Sequence, residues 1–148
     1  MTLIGIDPGW GGGIATLSPE GAIATFNMPK TELEVWEFFR PLRGKAEAFM
    51  ELVHAMPVNG CVPNFKLGGN RGALVTAMRA LDIDFTEVSP VAWMKRLQPL
   101  PKGAGDQRTK RKRRIKEMMA ERYPKLKLTL KTADAVAILD YAIDLKRT

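Results

Sequence analysis

A short apolar run that ends on a charge lies at the start of the chain. LIGID, residues 3–7, alternates like a buried strand and closes on Asp7, and glycine fills four of the next six positions. A tight turn explains the glycines, but it does not explain a carboxylate at the end of a strand suited to a core. The pattern therefore predicts a hairpin with an acid beside it that serves some purpose other than packing.

The rest of the chain alternates between strand and helix patterns. Short apolar runs between turn residues predict strands, and apolar residues three or four positions apart predict helices. The predicted strands are 3–7, 13–18, 22–28, 46–53 and 84–90, the predicted helices are 31–42, 70–81, 91–97, 110–124 and 132–147, and 54–69 and 98–109 are predicted loops. This order predicts an α/β fold in which a mixed five-stranded sheet, begun by an antiparallel meander, carries helices on both faces.

Length and charge narrow the class of protein. The 148 residues fit one domain, 1–148, and no apolar run is long enough to span a membrane. No secretory signal is evident and Cys61 is the single cysteine, so we expect a cytoplasmic protein without disulfides. The net charge is +7, and much of the excess lies in residues 102–116. A concentrated basic tract favours a nucleic-acid partner, although a solvated loop has the same composition.

Three acids stand where the predicted core should be apolar. Asp7 closes the first strand, Glu51 lies in the fourth, and Asp134 lies in the first turn of the last helix. Asp7 also fits a turn cap, and Asp134 fits the positive end of a helix dipole. If the last helix packs over strands one and four, the three carboxylates meet at one point. Carboxylate oxygens suit Mg²⁺ or Mn²⁺, and two such ions about 3.5–4 Å apart hydrolyse phosphodiesters in many enzymes.

Four segments resemble a known family over nearly the whole chain. GIDPGWGGGIA, FMELVHAMPVNGCVPNFKLGGNRGA, VSPVAWMKRL and KTADAVAILDYA are similar to the RuvC-like Holliday-junction resolvases, in particular their bacteriophage-type branch. The resemblance implies a ribonuclease H-like fold and an Mg²⁺-dependent endonuclease, with Mn²⁺ able to substitute, that nicks branched DNA symmetrically as a homodimer. Asp7, Glu51 and Asp134 match the family's catalytic, metal-binding carboxylates.

The chain departs from the family at a fourth carboxylate. That acid is expected one helical turn before Asp134, and Lys131 occupies the position. Asp140 is six residues further along the helix and is rotated away from the face of Asp134. The number of bound ions, one or two, therefore stays open, and Lys131 is a candidate phosphate contact or a surface lysine.

The resemblance also implies a set of DNA contacts. His54 falls where relatives carry an aromatic that stacks at the junction, and Phe65 is a stacking candidate or a core residue. Trp93 is expected in the core. The remaining candidates are basic and would position DNA through its phosphates: Lys66, Arg71, Lys95, Lys110, Arg111, Lys112, Arg113 and Arg114.

Two other classes of protein compete with a resolvase. Sugar kinases and actin-like ATPases also place acids and glycine turns after a first strand, but they need two such domains and a second glycine loop, so we expect no nucleotide cofactor. The basic tract also suits a non-catalytic module that binds branched DNA. A nuclease that accepts flaps or forks is a third possibility.

Overall fold

The computed structural model of the chain describes residues 1–148 and contains one five-stranded sheet. Its strands are β1 (Thr2–Asp7), β2 (Gly13–Leu17), β3 (Ile23–Asn27), β4 (Ala46–Glu51) and β5 (Asp84–Val88). The strand order is β3-β2-β1-β4-β5. The first three strands form an antiparallel meander, whereas β4 lies parallel to β1 and β5 lies parallel to β4. The predicted mixed sheet is therefore confirmed.

Helices cover both faces of the sheet, as predicted. They are α1 (Glu32–Phe39), α2 (Cys61–Ala80), α3 (Pro90–Met94), α4 (Asp106–Arg122) and α5 (Ala133–Arg147). On one face α1 and α2 bury apolar side chains such as Phe39 and Met78 against Ile4 and Ile6 of β1. On the other face α3, α4 and α5 form a second core around residues such as Ile115. No helix is both long and apolar enough to cross a bilayer.

Two helices begin earlier than the sequence pattern predicts. Helix α2 starts at Cys61, inside the predicted loop 54–69, and α4 starts at Asp106, inside the predicted loop 98–109. Pro63 falls in the first turn of α2, where a backbone N–H has no partner within the helix. The glycines of α2 face open space, and the helix is held instead by its buried Leu74 and Met78. Packing thus overrides the low helix propensity of glycine.

Candidate active site

Two of the three candidate carboxylates lie side by side at one edge of the sheet. Asp7 ends β1 and Glu51 ends β4, and the parallel register of these neighbouring strands pairs Ile6 with Met50 one residue earlier. Side chains alternate between the faces of a strand, so Asp7 shares a face with Gly5 and Glu51 shares one with Phe49. This is the face that α5 covers.

Glycines bring the start of α5 onto the sheet. A Cβ at Gly5 of β1 would lie 2.5 Å from the carbonyl oxygen of Ala135 and 2.6 Å from the amide nitrogen of Leu139. A Cβ at Gly13 of β2 would lie 2.4 Å from the carbonyl oxygen of Lys131. Only glycine permits backbones to approach so closely. The contact sets the first turn of α5, and with it Asp134, beside the end of β1.

The three carboxylates line one pocket of about 200 Å³. Asp7 and Glu51 are half-buried, and Asp134 is 7% exposed. The opposite wall comes from α4, which contributes Ile115 and three cations, Arg108, Arg111 and Lys112. Acidic side chains from the sheet and α5 thus share a small cavity with basic side chains from α4. This arrangement suits an ion or a phosphate between them.

Burial disfavours the charged form of all three acids, and repulsion by neighbouring acids adds to this for Asp7 and Glu51. Burial, followed by the charges of Asp134 and Glu51, raises the pKa of Asp7 well above its usual value. Burial also raises the pKa of Glu51 and of Asp134, and for both groups Lys112 partly opposes the rise. Perturbed carboxyl groups gathered in a cleft are typical of functional sites.

Asp134 is incompletely satisfied. Its Oδ2 accepts from the Lys112 ammonium at 3.4 Å, whereas its buried Oδ1 has no hydrogen-bond partner. An unpartnered buried carboxylate oxygen is costly, and a cation ligated there would relieve the cost. The side chains are not gathered into a ready metal site, because no group of three or more His, Cys, Asp or Glu residues lies close enough to hold an ion. The donor set fits a divalent ion in its chemistry, and binding would have to draw the acids together.

Trp93 of α3 orients Glu51. The indole Nε1–H donates to Oε2 of Glu51 at 2.8 Å, and Trp93 is 1% exposed. This hydrogen bond favours the carboxylate and so opposes the effect of burial on the pKa of Glu51. Ser89 caps α3 by accepting from the amide of Ala92 at 3.2 Å, which fixes where the indole enters the core. The expected core role of Trp93 is confirmed, with a second role added.

The glycine-rich hairpin is anchored to α2. Gly9 has a φ of +113°, and its amide donates to Oδ1 of Asn70 at 2.7 Å. Asn70 is fully buried, and its Nδ2 has no partner. The turn beside Asp7 is therefore held from the opposite face of the sheet, which the pattern of glycines did not reveal.

The predicted DNA contacts divide into two regions. One comprises the carboxylate pocket, its neighbouring cavity and the exposed side of α4, and the other comprises the end of β4 and the first half of α2. Arg111 and Lys112 line the carboxylate pocket, and Lys95 lines a neighbouring cavity. Lys110, Arg113 and Arg114 are exposed along α4, where Arg114 lies 3.5 Å from Glu117. His54 is exposed after β4, and Phe65 and Lys66 are exposed on the first half of α2. Phe65 is 85% exposed, so the alternative that placed it in the core is wrong.

The remaining predicted contacts, Arg71 and Lys131, lie outside the carboxylate pocket. Arg71 forms a two-pronged pair with Glu87 of β5, with nitrogen–oxygen distances of 2.5 and 3.2 Å. Its guanidinium is therefore already engaged by a carboxylate. Lys131 is exposed and precedes α5, as the predicted helix 132–147 implies, and its exposure fits both a phosphate contact and a surface lysine.

Arg108 is a pocket residue that the sequence analysis missed. The sequence pattern predicts a loop at this position, whereas Arg108 lies in the first turns of α4 and lines the pocket with the acids. Residues 108, 111, 112 and 115 all line the pocket and follow the spacing of one helix face. That spacing was visible in the sequence, and extending the helix by four residues would have revealed it.

Comparisons with solved structures give the same fold. No protein-family model and no curated protein matches the chain by sequence. A Thermus thermophilus RuvC structure superposes with a TM-score of 0.62 at 18% identity, covering 99% of this chain and 96% of that one. T. thermophilus RuvC in complex with a Holliday junction substrate gives 0.65 at 15%, covering 99% and 95%. The yeast mitochondrial Holliday junction resolvase Ydc2 gives 0.52 at 12%, covering 98% and 82%.

The likeness extends over nearly all of this chain, while the identities are low enough that it speaks for the fold alone. Together with the mixed sheet and its helices, it confirms the fold that the resemblance of the four sequence segments implied. This chain has the ribonuclease H-like fold of the RuvC and Ydc2 Holliday junction resolvases.

Proposed function

We propose that this chain is a metal-dependent endonuclease that nicks phosphodiester bonds in four-way or otherwise branched DNA. One observation carries the proposal: acids from β1, β4 and α5 share a pocket with three cations of α4. A structural cluster needs no such cavity between its charges. The acids are suited to a metal and the cations to a DNA phosphate, so both partners of a phosphodiester hydrolysis have a place.

Asp7, Glu51 and Asp134 would hold the ion. Oxygen ligands alone favour Mg²⁺, with Mn²⁺ as a substitute. Such an ion would supply a water of lowered pKa and neutralise the charge of the leaving oxygen. The unpartnered Oδ1 of Asp134 and the raised pKa of all three acids support this assignment.

The remaining residues of the pocket bind and orient. Lys112 pairs with Asp134 and, with Arg108 and Arg111, presents positive charge to a phosphate entering the cavity. Trp93 holds one oxygen of Glu51, which leaves the other to face the pocket. Exposed Lys110, Arg113 and Arg114 extend the positive surface along α4 and would hold the DNA backbone without reading its sequence.

Paired nicking requires two active sites, so we propose a two-fold homodimer in which residues 1–148 of each copy form a single nuclease domain. Size-exclusion chromatography with light scattering tests the oligomeric state. A monomer at the concentration where cleavage is paired would contradict it.

Cleavage of a synthetic four-way junction tests the function. Wild-type protein is incubated with Mg²⁺ or Mn²⁺ and compared with Glu51→Gln on a junction, a flap, a Y-fork and linear duplex. We expect symmetric nicks in the junction by the wild type, none by the variant and none without metal. Equal cleavage of all four substrates would indicate a general nuclease without selectivity for branches. Absence of nicking with both metals would refute the proposed enzymatic activity.

A non-catalytic module that binds branched DNA is the second candidate. It is favoured by the Lys112–Asp134 pair, in which an ammonium already occupies part of the pocket, and by the lack of a ready metal site. Junction binding that is metal-independent and unchanged in Glu51→Gln, without nicking, would support the module.

A further inference from the structure

We propose that a second cavity beside the carboxylate pocket binds one unpaired base of a branched DNA strand. The inference rests on the proposed function and deepens it, because it names the part of the substrate that the protein holds next to the cut. The cavity has a volume of about 720 Å³ and lies between α3 and the segment that leads to α4.

The cavity offers an apolar surface of the size that a flat ring needs. Pro90, Val91 and Met94 of α3 line it, together with Leu100 of the segment that follows. Leu100 is 6% exposed and so belongs to the fixed core, whereas Val91 is 79% exposed at the rim. A base buries both of its faces against apolar atoms while its polar edge stays at the opening, which matches such a site.

The charges at the rim favour an anionic ligand. Lys95 and Lys102 line the cavity together with Arg111, and no acidic residue does so. The Arg111 guanidinium donates to the carbonyl oxygens of Pro101 and Gly103 at 3.1 and 3.0 Å. These bonds tie the loop to α4 and hold the cavity open. The two lysines then remain to meet the phosphates that flank a bound base.

The two cavities are adjacent and share part of their walls. Pro90, Met94 and Arg111 line both the base cavity and the carboxylate pocket. A strand whose phosphate lies at the carboxylates can therefore place a neighbouring nucleotide in the second cavity. A base in continuous duplex is paired and stacked, while a branch point supplies bases that are free to leave the stack. The shared wall with the carboxylate pocket and the positive rim favour DNA rather than a peptide as the occupant.

Coupling between a protein change and a DNA change tests the proposal. Binding is measured in the Glu51→Gln background, which prevents cleavage, with junctions that carry a single abasic site at successive positions around the branch. Val91→Asp places a charge in the cavity at an exposed position. Leu33→Asp is the matched control, because Leu33 is 66% exposed on α1, across the sheet.

We expect one abasic position to weaken binding by the background protein roughly tenfold, the effect of one lost base contact. Val91→Asp should weaken binding of the intact junction by a similar factor and be insensitive to that abasic site. Leu33→Asp should behave like the background. Because both variants add one negative charge, general repulsion of DNA cancels in the comparison, and the abasic response is independent of it.

Other outcomes overturn the inference. If no abasic position matters, or if its effect and that of Val91→Asp multiply, the cavity holds no base. If only the double variant Lys95→Ala/Lys102→Ala weakens binding, the surface contacts phosphates alone. If Val91→Asp leaves junction binding unchanged, the cavity serves another ligand. A background protein that binds junctions no better than duplex would instead refute the proposed function and this inference with it.

Discussion

Helix α5 carries two buried aspartates with opposite surroundings. Asp134, in its first turn, has one lysine at 3.4 Å and an oxygen without a partner. Asp140 is 2% exposed and is bound on several sides: Arg122 Nε lies 2.8 Å away, Arg96 lies 3.5 Å away, and the Tyr123 hydroxyl donates to it. Burial and this bond raise the pKa of Tyr123 to about 12, so the hydroxyl keeps its proton.

The comparison sets a charge that is fully paired beside one that we propose to be functional. Asp140 joins the end of α4 and the segment after α3 to α5, and its partners supply the charge that burial demands. Asp134 lies in the same helix and is left short of partners at the place where a cavity opens. Burial alone therefore does not identify a site, whereas burial with an unfilled coordination position does. The following changes test this distinction.

Asp134→Asn should have the largest effect on activity. We expect junction nicking to fall about a thousandfold or more, because several kcal/mol of charge stabilisation by the metal would be lost. The side chain keeps its size, so the unfolding midpoint should fall little. Quantitative cleavage under single-turnover conditions, with thermal unfolding as the parallel readout, gives both values. Near wild-type nicking would remove Asp134 from the site.

Asp140→Asn should have the opposite effect, a clear loss of stability with little loss of nicking. Removing the charge leaves Arg96 and Arg122 with Asp144 as their remaining carboxylate and weakens the hydrogen bonds to position 140, so we expect the free energy of unfolding to fall by about 2 kcal/mol. Urea titration measures the change. At a temperature where the variant is folded, nicking should remain within a few-fold of wild type. A loss comparable to that of Asp134→Asn would mean that the two aspartates are not functionally distinct.

Trp93→Phe should have an intermediate effect. The ring still packs, but the hydrogen bond to Glu51 is lost, and we expect metal affinity to fall roughly 10–100-fold, as for other residues that orient a ligand. Thermal shift against Mn²⁺ concentration reads this out, together with the metal dependence of nicking. Trp36→Phe is the control, because Trp36 packs on the other face of the sheet. Equal metal affinity in both variants would limit Trp93 to packing.

Asp7→Asn should change stability modestly and favourably. Because the folded-state pKa of Asp7 is raised, its stabilising contribution is full below the unfolded pKa and is lost as pH rises through the folded value. Metal-free wild type should therefore become more stable as pH falls from neutral toward the usual pKa of an aspartate. The variant should gain about 0.5–2 kcal/mol at pH 7.5 and show a flatter pH dependence in urea titrations with EDTA. A destabilised variant would contradict the strain that the pKa indicates.

The acids could be predicted from the sequence because they break a pattern. Asp7 and Glu51 interrupt strands that are otherwise apolar, and Asp134 interrupts a helix rich in alanine, so each is visible without knowledge of its neighbours. The sheet followed from the same periodicities, since every strand was predicted to within a few residues. Both inferences use only information that is local in the chain.

The partners of those acids could not be predicted in this way. Trp93 lies 42 positions from Glu51 in sequence, and its apolar surroundings indicate only a core residue. Asn70 lies 61 positions from Gly9 and looks like a helix-breaking residue before the fold is known. The early start of α2 was hidden for a similar reason, because Pro63 and three glycines mask a helix that tertiary packing supports.

The contact at Gly5 has a consequence for how this protein can vary. A single methyl group there would meet the backbone of α5, which has no flexible end to yield, and would force the helix away from the sheet by close to an ångström. Residue 5 is not one of the three acids, yet its contact with α5 sets the distance between Asp7 on β1 and Asp134 on α5. Variation at this position is therefore constrained by the carboxylate two residues away, and a designer could widen the carboxylate pocket without changing a residue that lines it.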